Sequence, residues 1–112
     1  MKSFRTLDLA VEFYEKTEDL KLQGHLRDQL QRAAASIPLN LSEGNAKPSP
    51  KEKKRFYQTA YASIQECKTI FKLLKMEGDI VDCADKLGAY TFNLLKSDLK
   101  VNQFRDSWGL LE

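Results

Sequence analysis

Apolar residues recur along most of this chain at steps of three and four, a spacing that predicts helices rather than strands. The most informative stretch closes the second helix. Leu26, Leu30, Ala33, Ile37 and Leu41 form an apolar line, and Gln29, Arg32, Ser36, Asn40 and Glu43 run immediately beside it. Polar side chains that hug an apolar seam are expected to meet a partner helix or another copy of the chain. This helix is predicted from about Gly24 to Ser42 or Glu43, with Gly44 as a left-handed stop. Pro38 lies inside it and removes the bond to the Ala34 carbonyl. Two helices meeting at Pro38 are the alternative, but the unbroken rhythm from Ile37 to Leu41 favours one bent helix.

The other elements follow the same logic. Helix one is predicted from Thr6, as N-cap, to about Lys16, with Phe4, Leu7, Val11 and Tyr14 on its apolar side and Ala10 beside them. Leu20 and Leu22 in the connector are expected to tuck under the bundle. Helix three opens with Ser49 as N-cap, Pro50 at the first helical position and Glu52 at the third, the S-x-x-E capping box. It is expected to last to about Glu77 and stop at Gly78, with a seam of Tyr57, Ala60, Ile64, Cys67, Phe71 and Leu74. Helix four is expected from Asp79 to about Lys100, with Ile80, Ala84, Leu87, Thr91 and Leu94 in its seam. Gly88 costs that helix about 1 kcal/mol relative to Ala, and is expected to admit a close neighbour. Four amphipathic helices with short connectors predict an all-α, antiparallel up-down-up-down four-helix bundle over residues 1–100. Residues 101–112 hold Phe104, Trp108, Leu110 and Leu111. Such a tail is expected to dock on the bundle or on a neighbouring subunit.

Composition narrows the functional classes. At 112 residues the chain suits one domain. Its 18 basic and 16 acidic residues leave a net charge of +2, too balanced to imply nucleic-acid binding from the total alone. No apolar run approaches the roughly 20 residues needed to cross a bilayer, and the N-terminus has no apolar signal core. A cytoplasmic location is the expectation. Cys67 and Cys83 fall on apolar faces and read as buried free thiols.

Candidate chemistry is sparse. His25 is the only histidine, so a histidine-built metal site within one chain is impossible, and neither cysteine has metal-ligand spacing with another. No glycine-rich phosphate loop is present. Glu43 and Glu66 are the best-placed acids, and both read more simply as hydrogen-bond acceptors for Arg32, Ser36, Ser63 or a backbone amide. No catalytic residue, cofactor or metal is expected, so the chain does not read as an enzyme. One cluster remains: Lys47, Lys51, Lys53, Lys54 and Arg55 surround the start of helix three, with Glu52 the only acid among them. A helix dipole disfavours cations at that end. Free amides and a ring of lysines there would suit a phosphate, and a solvated helix start is the plainer reading.

From Gln29 to Glu66 the chain resembles the bacterial four-helix-bundle family of 23S rRNA intervening-sequence proteins. The matching elements are Gln29-Leu30-Gln31-Arg32-Ala33-Ala34 and Ser36-Ile37-Pro38-Leu39-Asn40-Leu41-Ser42-Glu43-Gly44, followed by Ser49, Phe56, Ala60, Ser63 and Glu66. Gln31 stands where the family often has a second arginine, and the first connector lacks the usual proline. The resemblance implies the four-helix bundle and a ring-shaped homopentamer, as in the similar accessory proteins of diversity-generating retroelements, which bind nucleic acid and a reverse transcriptase. The leading expectation is therefore a non-enzymatic, ring-forming bundle that binds structured RNA or DNA weakly through Lys47, Lys51, Lys53, Lys54 and Arg55. Gln29, Arg32, Ser36, Asn40, Glu43, Ser63 and Glu66 are assigned to structure or subunit packing. The alternative is a protein-interaction scaffold that docks through Trp108 and the tail. No membrane partner and no small-molecule substrate are expected.

Overall fold

A computed structural model describes the backbone of residues 4–106 and the side chains of residues 4–96. Four helices, α1 (Arg5–Glu18), α2 (His25–Asn45), α3 (Pro50–Leu73) and α4 (Asp79–Asp106), make up an all-α four-helix bundle. Sequential helices pack side by side and α4 closes back on α1, with the most extensive contact between α2 and α3. The core holds Phe13, Leu30, Ile37, Leu41, Ile64, Phe71 and Leu87, all essentially inaccessible. Phe13 and Phe71 meet across the diagonal edge to face, with ring centroids 6.1 Å apart. Leu20 and Leu22 pack against the core as the connector pattern predicted. No helix among the described residues is long and apolar enough to cross a membrane.

Helix α1 corrects the sequence reading twice. It begins at Arg5 with Phe4 in the cap position, so Thr6 is inside the helix and not its N-cap. Its buried face is Thr6, Ala10, Phe13 and Thr17. The apolar set Phe4, Leu7, Val11 and Tyr14 lies on the flank, and Val11 is 43% exposed. Thr17 can occupy the buried face because its hydroxyl donates to the Tyr14 carbonyl at 2.7 Å, satisfying itself within the helix. The helix is tied to α4 at both ends. Lys16 meets Asp79 at 2.7 Å, and Arg5 donates to the Tyr90 hydroxyl at 3.2 Å. The hydrogen bond that Lys16 donates to the Asp79 carboxylate, and then the negative charge of Asp79, raise the Lys16 ammonium above its ordinary pKa.

Pro38 lies within a single continuous α2. The turn that contains it is braced locally. Asn40 Nδ2 donates to the Ser36 carbonyl at 2.8 Å and to Ser36 Oγ at 3.0 Å. Ser36 Oγ in turn lies 2.9 Å from Ser63 Oγ on α3. Gly44 is not a left-handed stop. It is a helical residue of α2, and the helix continues to Asn45. Its hydrogen makes room for α3: a Cβ built there would stand 2.7 Å from Tyr57 Cε1 and 3.0 Å from Phe56 Cβ.

Helix α3 starts as predicted but stops early. Ser49 Oγ accepts the Glu52 amide at 3.3 Å and donates to Glu52 Oε1 at 3.2 Å. The helix ends at Leu73 rather than near Glu77. The Met76 amide bonds the Phe71 carbonyl at 2.9 Å and the Lys75 amide bonds the Lys72 carbonyl at 3.1 Å. This is a Schellman ending, and it places Lys75, not a glycine, at φ 56°. Gly88 also differs from expectation. A Cβ there would lie 3.6 Å from Ile64 Cγ2, an ordinary contact, so no close approach requires the glycine. Helix α4 runs on to Asp106, past the expected end near Lys100, because no glycine or proline interrupts residues 89–106. Trp108, Leu110 and Leu111 lie outside the described residues.

Candidate nucleic-acid interface

The basic cluster sits where the chain turns from α2 into α3, and packing gives each cation a different duty. The carbonyls that end α2 have no basic residue in their own last turn. Lys53 supplies the charge from α3: its Nζ donates to the Asn45 carbonyl at 3.0 Å and to the Gly44 carbonyl at 3.4 Å. The start of α3 is therefore also the end of α2, and the negative pole of one helix offsets the repulsion from the positive pole of the other. That juxtaposition accounts for lysines at a helix start. It also removes Lys53 from the set of free cations.

Lys47 is half committed. Its ammonium pairs with Glu43 at 3.4 Å and stands 5.2 Å from the centroid of the Phe56 ring. Arg55 stands 5.9 Å from the same centroid. Phe56 is only half-buried, so its ring forms a cation platform at the corner. Lys51 is exposed and Lys54 half-buried, and among the described residues neither has an acidic partner. The amides at the α3 start are not all free, because Ser49 takes that of Glu52. The corner thus offers unpaired ammonium groups and a guanidinium over a ring rather than an amide cradle.

The polar stripe on α2 divides in two. Ser36 and Asn40 are half-buried and, with the buried Ser63, form the hydrogen-bonded chain between α2 and α3. Gln29, Arg32 and Glu43 are exposed on the single chain, as is Glu66 on α3. Glu43 pairs with Lys47 and not with Arg32 or Ser36. The string from Ser36 to Gly44 is consequently fold machinery: a core isoleucine, a proline turn, the asparagine that braces it, and a glycine seat for Tyr57.

Other potential chemistry is dispersed. His25 is exposed at the start of α2, whereas Cys67 and Cys83 are both buried and free. Burial, reinforced by the negative charge of Glu66, pushes the Cys67 thiol up to about 12. Burial is also the main force raising Cys83. Both thiols hold their protons at neutral pH, which disfavours nucleophilic use. Among the described residues no group of three or more His, Cys, Asp or Glu side chains could hold a metal ion.

Sequence reasoning missed three half-open aromatics. Tyr61 and Phe92 face each other from α3 and α4. Tyr90 carries Arg5 and Lys86 over its ring at 5.5 and 5.8 Å. The available signal was position: Tyr61 and Phe92 each stand one residue past a seam residue, Ala60 and Thr91.

The fold and the corner together define a class: an all-α bundle whose distinctive residues build helix contacts and a cationic edge. The chain belongs to the 23S rRNA-intervening sequence protein family, whose model matches residues 4–87. That span holds α1 to α3 and the first part of α4, including the proline turn and the basic corner. The family description names no reaction. No curated protein and no solved structure matches the chain.

Proposed function

We propose that this protein is a non-enzymatic, ring-forming helical module that binds structured nucleic acid weakly at the α2–α3 corner. The observation that carries the binding reading is the pair Lys51 and Lys54, without acidic partners among the described residues, beside Arg55 and Lys47 on the Phe56 ring. Phosphate contacts of this kind supply sequence-independent affinity.

Assembly is supported by two apolar surfaces that the bundle leaves open. Leu39 is 69% exposed on α2, in line with the exposed Arg32 and Glu43. On α1, Val11 is exposed beside the half-buried Phe4, Leu7 and Tyr14. Two unlike faces on one chain suit head-to-tail contacts, which close into a ring when the rotation between neighbours closes. A ring of five repeats the corner five times, so weak contacts add as avidity.

The test is charge reversal that spares the fold. Lys51→Glu, Lys54→Glu and Arg55→Glu together, with Lys53 kept as the α2 cap, should abolish retention on RNA while leaving the solution mass unchanged. Wild-type binding should weaken steeply with salt through counterion release. Retention that survives the triple change, or is indifferent to salt, rules out the corner; a wild type that RNA does not retain leaves the protein-scaffold reading, with Trp108 and the tail as the docking element.

A further inference from the structure

At the edge of the core, the groove between α3 and α4 carries aromatic side chains that the basic corner does not use, with Tyr61 packed in part against the core. Tyr61 and Phe92 meet there with ring centroids 6.0 Å apart and planes tilted by 48°. Phe92 is 47% exposed and Tyr61 half-buried, so the pair sits at the mouth of the groove. A single exposed aromatic is ordinary surface. Here two face each other from neighbouring helices, with cations before and after them.

The flanking charges follow from helical spacing. Lys54 stands two turns before Tyr61 on the same flank of α3, and Lys68 two turns after it. At 1.5 Å per residue, Lys54 and Lys68 are about 21 Å apart along the helix. Lys96 is one turn past Phe92 on α4 and is exposed. The helices are antiparallel, with Lys68 meeting Asp85 at 3.0 Å, so Lys96 lies toward the Lys54 end. Beyond Tyr61 the groove opens into a cleft of about 330 Å³ lined in part by Gln65, Lys68, Lys72 and Val81. Asp85 is the acid of this cleft, and Lys68 neutralises it. An apolar occupant would have to cover the ammonium groups of Lys54, Lys72 and Lys96, at a desolvation cost. A strand with phosphates on one edge and flat bases on the other matches both features.

We infer that the Tyr61–Phe92 pair is a stacking platform for unpaired bases, so the nucleic acid held at the corner is single-stranded where it crosses α3 and α4. The inference rests on the corner reading above and adds the chemical form of the ligand. Bases buried in a duplex cannot reach the rings, whereas unpaired bases stack on aromatics regardless of sequence.

The test uses the full chain and fluorescence anisotropy with three probes: a mixed-sequence single-stranded RNA oligonucleotide, its duplex, and an abasic strand of the same length. Wild-type protein should prefer the intact single strand over both other probes. Phe92→Leu, which keeps an apolar group at a half-open site, should weaken single-strand binding about tenfold. Duplex affinity and the salt dependence should stay unchanged. Tyr61→Leu gives an independent reading of the same platform. Equal affinity for intact and abasic strands, or single-strand affinity unchanged in both variants, overturns the platform and leaves the corner standing. A Phe92→Leu variant that loses solution mass but not RNA affinity also overturns it, since the groove would then hold a second copy. Wild-type protein that binds none of the probes overturns the corner reading, and the platform with it.

Discussion

A methyl group added at Gly44 or at Gly88 enters the same kind of backbone, and the two outcomes should be opposite. At Gly44 it meets the ring of buried Tyr57 at 2.7 Å and the Phe56 Cβ at 3.0 Å, across the most extensive helix contact in the bundle. Gly44→Ala should therefore destabilise by about 1–3 kcal/mol, the range for overpacking. At Gly88 the nearest side-chain atom is 3.6 Å away, and Gly88→Ala should stabilise by up to about 1 kcal/mol through helix propensity. Denaturant titration of both variants measures the contrast. Cys67 makes a prediction in pH. Burial raises its folded pKa to about 12, while an unfolded thiol ionises near its ordinary 9.0. The unfolded state thus loses a proton that the folded state keeps, so stability falls as pH rises from about 9 toward 12. Cys67→Ala lowers the whole curve by leaving a cavity, but its slope in that window should be shallower than that of the wild type.

Helix ends show how far local chemistry reaches. The Ser49–Glu52 cap was legible because both partners lie within one turn. The early stop of α3 was not, because it depends on Lys75 accepting a left-handed conformation that sequence rules assign to glycine. An L-residue there costs roughly 1–2 kcal/mol. Lys75→Gly should recover about 1 kcal/mol of that, raising the melting temperature by about 4 °C for a chain of this size. The buried face of α1 was hidden for another reason. Phe4, Leu7, Val11 and Tyr14 outweigh Thr6 and Thr17 in hydropathy, yet Thr17 satisfies its own hydroxyl and goes inside. The candidate site divides the same way. That five cations cluster was plain from spacing, but that Lys53 is spent on the carbonyls of α2 follows only from antiparallel packing. Tyr61 and Phe92 are 31 positions apart in the chain, so only the fold could bring them face to face.

At the scale of the whole molecule, charge and exposed apolar groups fall on different parts of the bundle surface. The α2–α3 corner and the α3–α4 groove carry free cations and open aromatics. The outer faces of α1 and α2 carry Val11 and Leu39. A chain of net charge +2 is a poor polyanion binder by itself. In the proposed ring, five copies would repeat the corner and carry +10, which would make assembly the step on which useful affinity depends. In that ring the exposed part of the α2 stripe, Gln29, Arg32 and Glu43, would meet the next subunit. Light scattering at micromolar concentration tests this most directly. The account predicts a mass near 65 kDa, five chains of 12.9 kDa, falling toward one chain in Leu39→Glu. A wild-type mass of 12.9 kDa would contradict it.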